Sequence, residues 1–422
     1  MACGLLWGQP YKTKFWEETK MKKFLSLCMA GVMAASLLTG CGGDAAKDDT
    51  PAANGTPSEG GVQYTKHTLA ASIPLTGNTM QYGISYKNAL EMAVADFNAA
   101  GGLGGEDVVL EINDDKGDQK EGINIANKIV GEKDVFATVG SFGSSVTMAA
   151  APVYEKNSMP LVSPNTSHPD FPEMGKMMIP ISPIADLERT KTTNLLFEKF
   201  GGGDLAIIHQ NTDLGVAGAE IMKKTYEDLG GKVVLIENFV PQQTKDFTPI
   251  LSKAKAANPA ILYIDGEYND VANAILQTEK VGLTGVQLAG PGNVFKQEFL
   301  DLVGNKADGI ILAGTTPVYL DSIMNGENDY SEYLKDFTKR YTEKYPDVPC
   351  DGFAASAYDA AMLAMTAAKN VGTTDPQALI DEMHKAPIEV ASGKSMSFDG
   401  QYVVKDVFIY TVKDGEFASY NA

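Results

Sequence analysis

Two short stretches bring together side chains that could do chemistry. Gly140-Ser141-Phe142-Gly143-Ser144-Ser145 follows the apolar run Val135 to Val139, and Pro164-Asn165-Thr166-Ser167 follows Pro160-Leu161-Val162-Ser163. Each reads as a buried strand that breaks into small hydroxyl and amide residues, so two donor-rich loops would lie side by side at one sheet edge. Strand ends and helix N-termini collect partial positive charge, and hydroxyls beside them suit an anion such as a carboxylate. The expectation is one wall of a small-molecule pocket. Ser144 and Ser145 have a second reading, as caps of the helix that follows.

Catalytic constellations are missing. Gly393-Lys394-Ser395 lacks the upstream glycine of a phosphate loop, because residue 388 is isoleucine, and neither H-E-x-x-H nor G-x-S-x-G occurs. His67, His168, His209 and His384 are scattered without metal-ligand spacing. We therefore expect no enzyme activity, no catalytic residue, no metal and no cofactor. The glycine-rich run Gly101 to Gly105 follows a helix pattern and precedes a strand pattern, the reverse of a dinucleotide loop. A net charge of -19 with no dense basic run argues against nucleic acid.

The elements that must position these loops alternate along the chain. Strand patterns at Thr68 to Ile73, Val108 to Ile112, Val135 to Ser141 and Leu161 to Ser163 are separated by amphipathic helix patterns, with Ala89, Leu90, Ala93, Val94 and Phe97 on one face of the first. A second series has strands at Leu205 to His209, Val233 to Phe239, Ala260 to Asp265, Gln287 to Gly290 and Gly309 to Ala313, again with helices between them. With 422 residues, two lobes are the better expectation than one core. After Pro317 the pattern turns helical, at Tyr330 to Tyr345, Phe353 to Lys369 and Pro376 to Lys385. It then gives strand-like runs near Met396 and from Val403 to Val412, with Asp399-Gly400-Gln401 as a hairpin turn. Late helices can return to pack on the first lobe, which implies several crossings and a hinge.

From Met21 the chain reads as an address: Lys22-Lys23, an apolar run from Phe24 to Leu38, then Leu38-Thr39-Gly40-Cys41. This ending resembles the bacterial lipobox, in which the cysteine is lipidated. Residues 1–20 are expected to be a mis-assigned upstream segment, 21–40 a lipoprotein signal peptide and 41–63 a flexible tether. The protein would be extracytoplasmic, held at the bacterial cell membrane by a lipid on Cys41.

From Thr65 to Glu416 the chain resembles the branched-chain amino-acid-binding group of the type I periplasmic-binding fold, the solute receptors of ABC transporters. The residues that carry the resemblance are Pro74-Leu75-Thr76-Gly77 with Tyr82-Gly83, the run Asp96 to Gly104, Gly140 to Ser145, Pro160 to Ser167, Ala357-Tyr358-Asp359-Ala360 and Phe398-Asp399-Gly400. The resemblance implies an α/β fold of two lobes, each a parallel sheet flanked by helices, hinged by several crossings, with residues 64–184 plus 317–392 in the first lobe and 185–316 plus 393–422 in the second. It also implies a monomer that passes an amino acid, branched-chain or related, to ABC permease subunits. A sensory receptor of the same fold, or a receptor for another solute such as an amide, is the alternative.

In this resemblance Ser144, Ser145, Asn165, Thr166 and Ser167 hold a ligand carboxylate. Tyr82 covers the ligand, although a half-buried loop tyrosine is as good a reading. Asp186 faces the ligand or caps a helix, and Tyr268, with Glu267 as alternate, contacts it from the second lobe or is simply exposed. The chain departs from the family pattern at Pro291-Gly292-Asn293, where an acidic partner for the ligand's ammonium is usual. Asn293 accepts a hydrogen bond but carries no charge. Either Asp186 or Glu267 takes over the ammonium, or the ligand is not a simple alpha-amino acid. Leu214 likewise stands where an aromatic is common.

Overall fold

The computed structural model describes residues 64–319, 330–385 and 388–420. The expected leader, tether and Cys41 lie outside the described residues. Among the described residues no helix is long and apolar enough to cross a membrane.

The first sheet contains β1 (Thr68–Ile73), β2 (Val109–Asp114), β3 (Val135–Gly140), β4 (Leu161–Ser163) and β5 (Met178–Pro180), ordered β2-β1-β3-β4-β5, with every neighbouring pair parallel. Helices α1 (Met80–Ala99), α2 (Gln119–Ile129) and α3 (Ser144–Lys156) connect its first four strands. A parallel strand covered on both faces has no solvent side, so β1 and β3 are buried at every residue, while edge strand β2 leaves Val109 exposed. Asp118 starts α2 by accepting hydrogen bonds from the amides of Lys120 and Glu121.

The chain crosses over at residues 181–184 into α4 (Ala185–Lys199) and a second sheet. This one alternates β6 (Leu205–Gln210), α5 (Asp213–Asp228), β7 (Val233–Phe239), α6 (Thr248–Ala257), β8 (Ile261–Asp265), α7 (Tyr268–Thr278), β9 (Gln287–Pro291), α8 (Gln297–Val303) and β10 (Ile311–Gly314). Then α9 (Glu332–Lys344), α10 (Gly352–Val371) and α11 (Pro376–Met383) follow, and α10 returns to lie along α1 and against β3 and β4. Asp351 caps α10 through the Ala354 amide at 2.8 Å.

The tail is finer than the sequence pattern suggests. Strand β11 (Ser397–Asp399) pairs with β12 (Tyr402–Val404) around the expected Gly400 turn, and a separate antiparallel hairpin, β13 (Phe408–Lys413) with β14 (Glu416–Ser419), joins the second sheet beside β10. Its turn, Asp414-Gly415, has both φ angles positive, as tight hairpins require. The second sheet thus runs β14-β13-β10-β9-β8-β6-β7, five parallel strands with an antiparallel edge.

The later crossings are tied together. The Tyr319 hydroxyl donates to the Ala391 carbonyl at 2.6 Å, and the Val318 amide donates to the Tyr410 hydroxyl at 3.2 Å. Asp359 on α10 accepts from the amides of Ala391 and Ser392 at 2.8 and 2.9 Å, and Lys405 bonds the Ser392 hydroxyl that also reaches Asp359. Burial pushes the Lys405 ammonium down to about 8, with Asp359 opposing that shift.

Candidate functional site in the cleft between the sheets

Both sheets aim the C-terminal ends of their parallel strands at a common cleft, as open α/β sheets do at their ligand sites. On the first-sheet side, β3 ends at Gly140 with a φ of 146°. A Cβ there would stand 2.1 Å from the Ser72 carbonyl oxygen of β1, so only glycine lets the two strands close up. Beyond it, Ser141 donates through its hydroxyl to Asp115 at 2.6 Å, and its amide donates to the Thr147 hydroxyl at 2.9 Å. Buried Asp115 also receives the Ser72 hydroxyl and the Gly117 amide. This net fixes the loop and leaves the start of α3 facing the cleft. Helix α3 begins at Ser144, earlier than its apolar spacing indicates. The capping position is Gly143, which brings no side chain to the first-turn amides, so Ser144 and Ser145 are themselves in the first turn. Ser144 is buried, and the Ser145 hydroxyl stands 3.5 Å from Asp213 at the start of α5, across the cleft.

Asn165 and Ser167 line a cavity at the inner end of the cleft, together with Ser182, Pro183, Thr315 and Thr316 of the first two crossings. Thr166, by contrast, is fully buried, and its hydroxyl accepts from Ser163 at 2.6 Å. From the second sheet the cavity receives Glu188 and Arg189 of α4, Leu214, Gly292 and Asn293. Phe353, at the start of α10, closes it.

Tyr82 is buried and spans the lobes. Its ring stacks on Phe142 at 3.9 Å and meets Phe353 edge-on, while its hydroxyl donates to the Asn293 carbonyl at 3.3 Å and lies close to Glu267. The Tyr268 amide reaches the same hydroxyl at 3.5 Å, and its half-buried ring lies edge-on to Tyr82. The geometry therefore gathers Tyr82, Glu267, Tyr268 and Asn293 at one contact and puts Asn165 and Ser167 on the cavity wall, while Ser144 and Ser145, at the start of α3, are outside the lining. Asp186 is exposed and does not line the cavity.

Two residues that the sequence patterns do not single out are Glu188 and Arg189, two and three positions beyond Asp186 on α4. Arg189 is buried, bonds Asp265 at 3.0 Å, pairs with Glu188 and lies over the Tyr263 ring at 5.5 Å. Burial alone would lower its pKa; Asp265, Tyr263 and Glu188 hold it above the usual arginine value. Burial raises Glu188, against Arg189 and the Gly292 amide. Glu267 is pushed up to about 7, chiefly by burial, with Asp265 and Asp270 adding to the shift and the Tyr82 hydroxyl opposing it. Its Oε2 atom is sealed from solvent without a hydrogen-bond partner among the described residues. Glu188 and Asp265 thus share one guanidinium, with Glu188 and Arg189 in the cavity lining and Glu267 buried at the Tyr82 contact, so this side carries more carboxylates than cations and suits a cationic or hydrogen-bond-donating group. Among the described residues no group of three or more His, Cys, Asp and Glu side chains is placed to hold a metal ion.

Behind this aromatic contact lies a buried ion pair between the lobes. Lys296, just before α8, bonds Asp351 at 2.6 Å and lies 3.5 Å from the Ser85 hydroxyl of α1, with its ammonium 5.0 Å from the Tyr82 ring centre.

Two sheets of parallel strands flanked by helices, joined through crossings around a cleft lined with hydroxyls, amides and carboxylates, define a solute-binding protein of the type I periplasmic-binding fold. The profile of the periplasmic binding protein family matches residues 66–416, and the chain belongs to that family. It is 28% identical over 367 residues to the Leu/Ile/Val-binding protein homolog 1 of Brucella abortus, covering 86% of this chain and 94% of that one. Among solved structures it resembles the branched-chain amino acid transporter substrate-binding protein LivJ of Streptococcus pneumoniae in complex with isoleucine. That match has a TM-score of 0.75 and 24% identity, and covers 84% of this chain and 98% of that one. It also resembles a solute-binding protein of an ABC transporter from R. palustris in complex with benzoate, with a TM-score of 0.73 and 19% identity over 84% of this chain and 95% of that one.

Proposed function

We propose that this protein is an extracytoplasmic receptor that closes its two lobes on an amino acid and delivers it to an ABC permease, anchored to the membrane through lipid on Cys41. The observation that carries the reading is the pairing of walls across one cavity. Asn165 and Ser167 line it and offer donors to a carboxylate, with the start of α3 on the same lobe. Glu188 stands opposite in the lining, and the partnerless Oε2 of Glu267 lies buried at the Tyr82 contact; an ammonium would sit on this side. Two of these acids therefore replace the charge that Asn293 lacks. Residues 64–184 with 317–392 form the first lobe in this reading, and 185–316 with 393–422 the second.

Closure is favoured by whatever touches both walls at once. A ligand at a hundred times its Kd stabilises the folded state by about 2.7 kcal/mol. Thermal unfolding of the purified full-length chain against the amino acids and related amides tests this directly. Unchanged melting across the whole panel would refute it. A second reading, an aromatic carboxylate, is favoured by the ring cluster of Tyr82, Phe142 and Phe353 and by the benzoate-bound relative. Benzoate in the same panel decides between the two.

A further inference from the structure

The side chains that converge at the base of the cleft are unusual for a site that would enclose leucine. Asn165, Ser167, Asn293, Thr315 and Thr316 all line the cavity and are half-buried. Among the described residues none of their side chains bonds another protein group, whereas neighbouring Ser182 already donates to the Pro164 carbonyl at 2.8 Å. Large apolar surface comes, among the described residues of the lining, from Leu214 and Phe353.

Asn165 and Ser167 sit on the wall assigned to the ligand's carboxylate. That leaves Thr315 and Thr316, on the crossing after β10, and Asn293, after β9, for the rest of the ligand. When the lobes close on a branched aliphatic side chain, these groups lose water and gain nothing, and a polar group left unpaired on burial is unfavourable. A side chain carrying its own donor and acceptor satisfies them. Sites built to hydrogen-bond a ligand group reject the analogue that lacks it far more strongly than apolar pockets reject a missing methylene.

We propose that this site selects amino acids whose side chains end in a hydroxyl or carboxamide over leucine, isoleucine and valine, with Thr315, Thr316 and Asn293 making the discriminating hydrogen bonds. The proposal rests on the amino-acid receptor reading and narrows its ligand.

The test is calorimetric titration of the full-length chain with serine, threonine, asparagine and glutamine, and in parallel with leucine, isoleucine and valine. The expected result is that at least one of the first four binds roughly tenfold or more tightly than every branched-chain amino acid. Replacing both threonines with the near-isosteric valine (T315V/T316V) is expected to shrink that preference by about tenfold, with the ligand-free circular dichroism spectrum and melting unchanged. Leucine, isoleucine or valine binding most tightly, or a preference untouched by the double substitution, overturns the selectivity while the receptor reading stands. Silence with all seven overturns the selectivity, and silence across the full amino-acid panel overturns the amino-acid reading itself.

Discussion

Glu267 gives the sharpest quantitative prediction. Its carboxyl is ordinarily half-protonated at 4.5 and is pushed up to about 7 in the folded chain. Each unit corresponds to about 1.36 kcal/mol, so ionising this group in place costs about 3 kcal/mol of folding stability. Below pH 4.5 both folded and unfolded chains hold the proton and the cost vanishes. Between 4.5 and 7 the folded chain keeps a proton that the unfolded chain releases, so stability falls as pH rises through this window and levels off above it. Glu267→Gln keeps the shape and removes the titration. Urea unfolding of the ligand-free protein at pH 4.5, 6 and 8 should show E267Q gaining on the parent by up to about 3 kcal/mol from the lowest pH to the highest. Asp115, Asp270 and Asp359 are also raised by burial, but they are common to both proteins and cancel in the difference. An ammonium seated beside Glu267 would draw its pKa down, so ligand binding near pH 6.5 should release protons, read as a dependence of the calorimetric heat on the buffer's ionisation enthalpy. Parallel pH profiles for the two proteins, with equal proton release, would refute the assignment.

Three further outcomes follow from named contacts. Lys296→Met leaves buried Asp351 without its cation, and removing one partner of such a pair costs about 3–5 kcal/mol; it should weaken ligand binding and speed dissociation in stopped-flow fluorescence, because the pair joins the two lobes. Gly140→Ala forces a Cβ against the Ser72 carbonyl at 2.1 Å, on top of roughly 1–3 kcal/mol for an unsuitable φ, so the midpoint of urea unfolding should fall or soluble protein should be lost. Cys41→Ala should shift the protein from the membrane fraction to the soluble one and abolish incorporation of labelled fatty acid; retention in the membrane would refute the lipid anchor.

The sheets were legible because parallel strands covered on both faces leave uninterrupted apolar runs, as in Leu205 to Ile208 and Ile261 to Ile264, and because Gly or Pro closes most of the intervening helices. The loops after β3 and β4 were legible for the complementary reason, since small hydroxyl residues directly after such a run have few other uses. What stayed hidden depends on partners distant in sequence. Glu188 and Arg189 sit as adjacent opposite charges on a helix with little apolar periodicity, a pattern ordinarily left in solvent. Their burial comes from Asp265 at the end of β8 and from the Tyr263 face. Asp186 is the first acid of that helix, but Glu188, two residues on, points to nearly the opposite side of it. Lys296 reads as an ordinary basic residue near a helix start until Asp351 is brought beside it. Strand β14 was missed because Glu416 to Ser419 is too short to show alternation.

The knot around Asp359 bears on how the molecule moves. Tyr319 is bonded to Ala391, and Asp359 to Ala391 and Ser392, so the return crossings are stitched to each other and to α10. They cannot swivel independently. The motion this stitching favours is a single flexure, in which the two halves bend about one axis. Recognition can then be retuned by exchanging side chains on the walls, since Tyr319, Asp359, Ala391 and Ser392, which stitch the crossings together, lie outside the cavity lining.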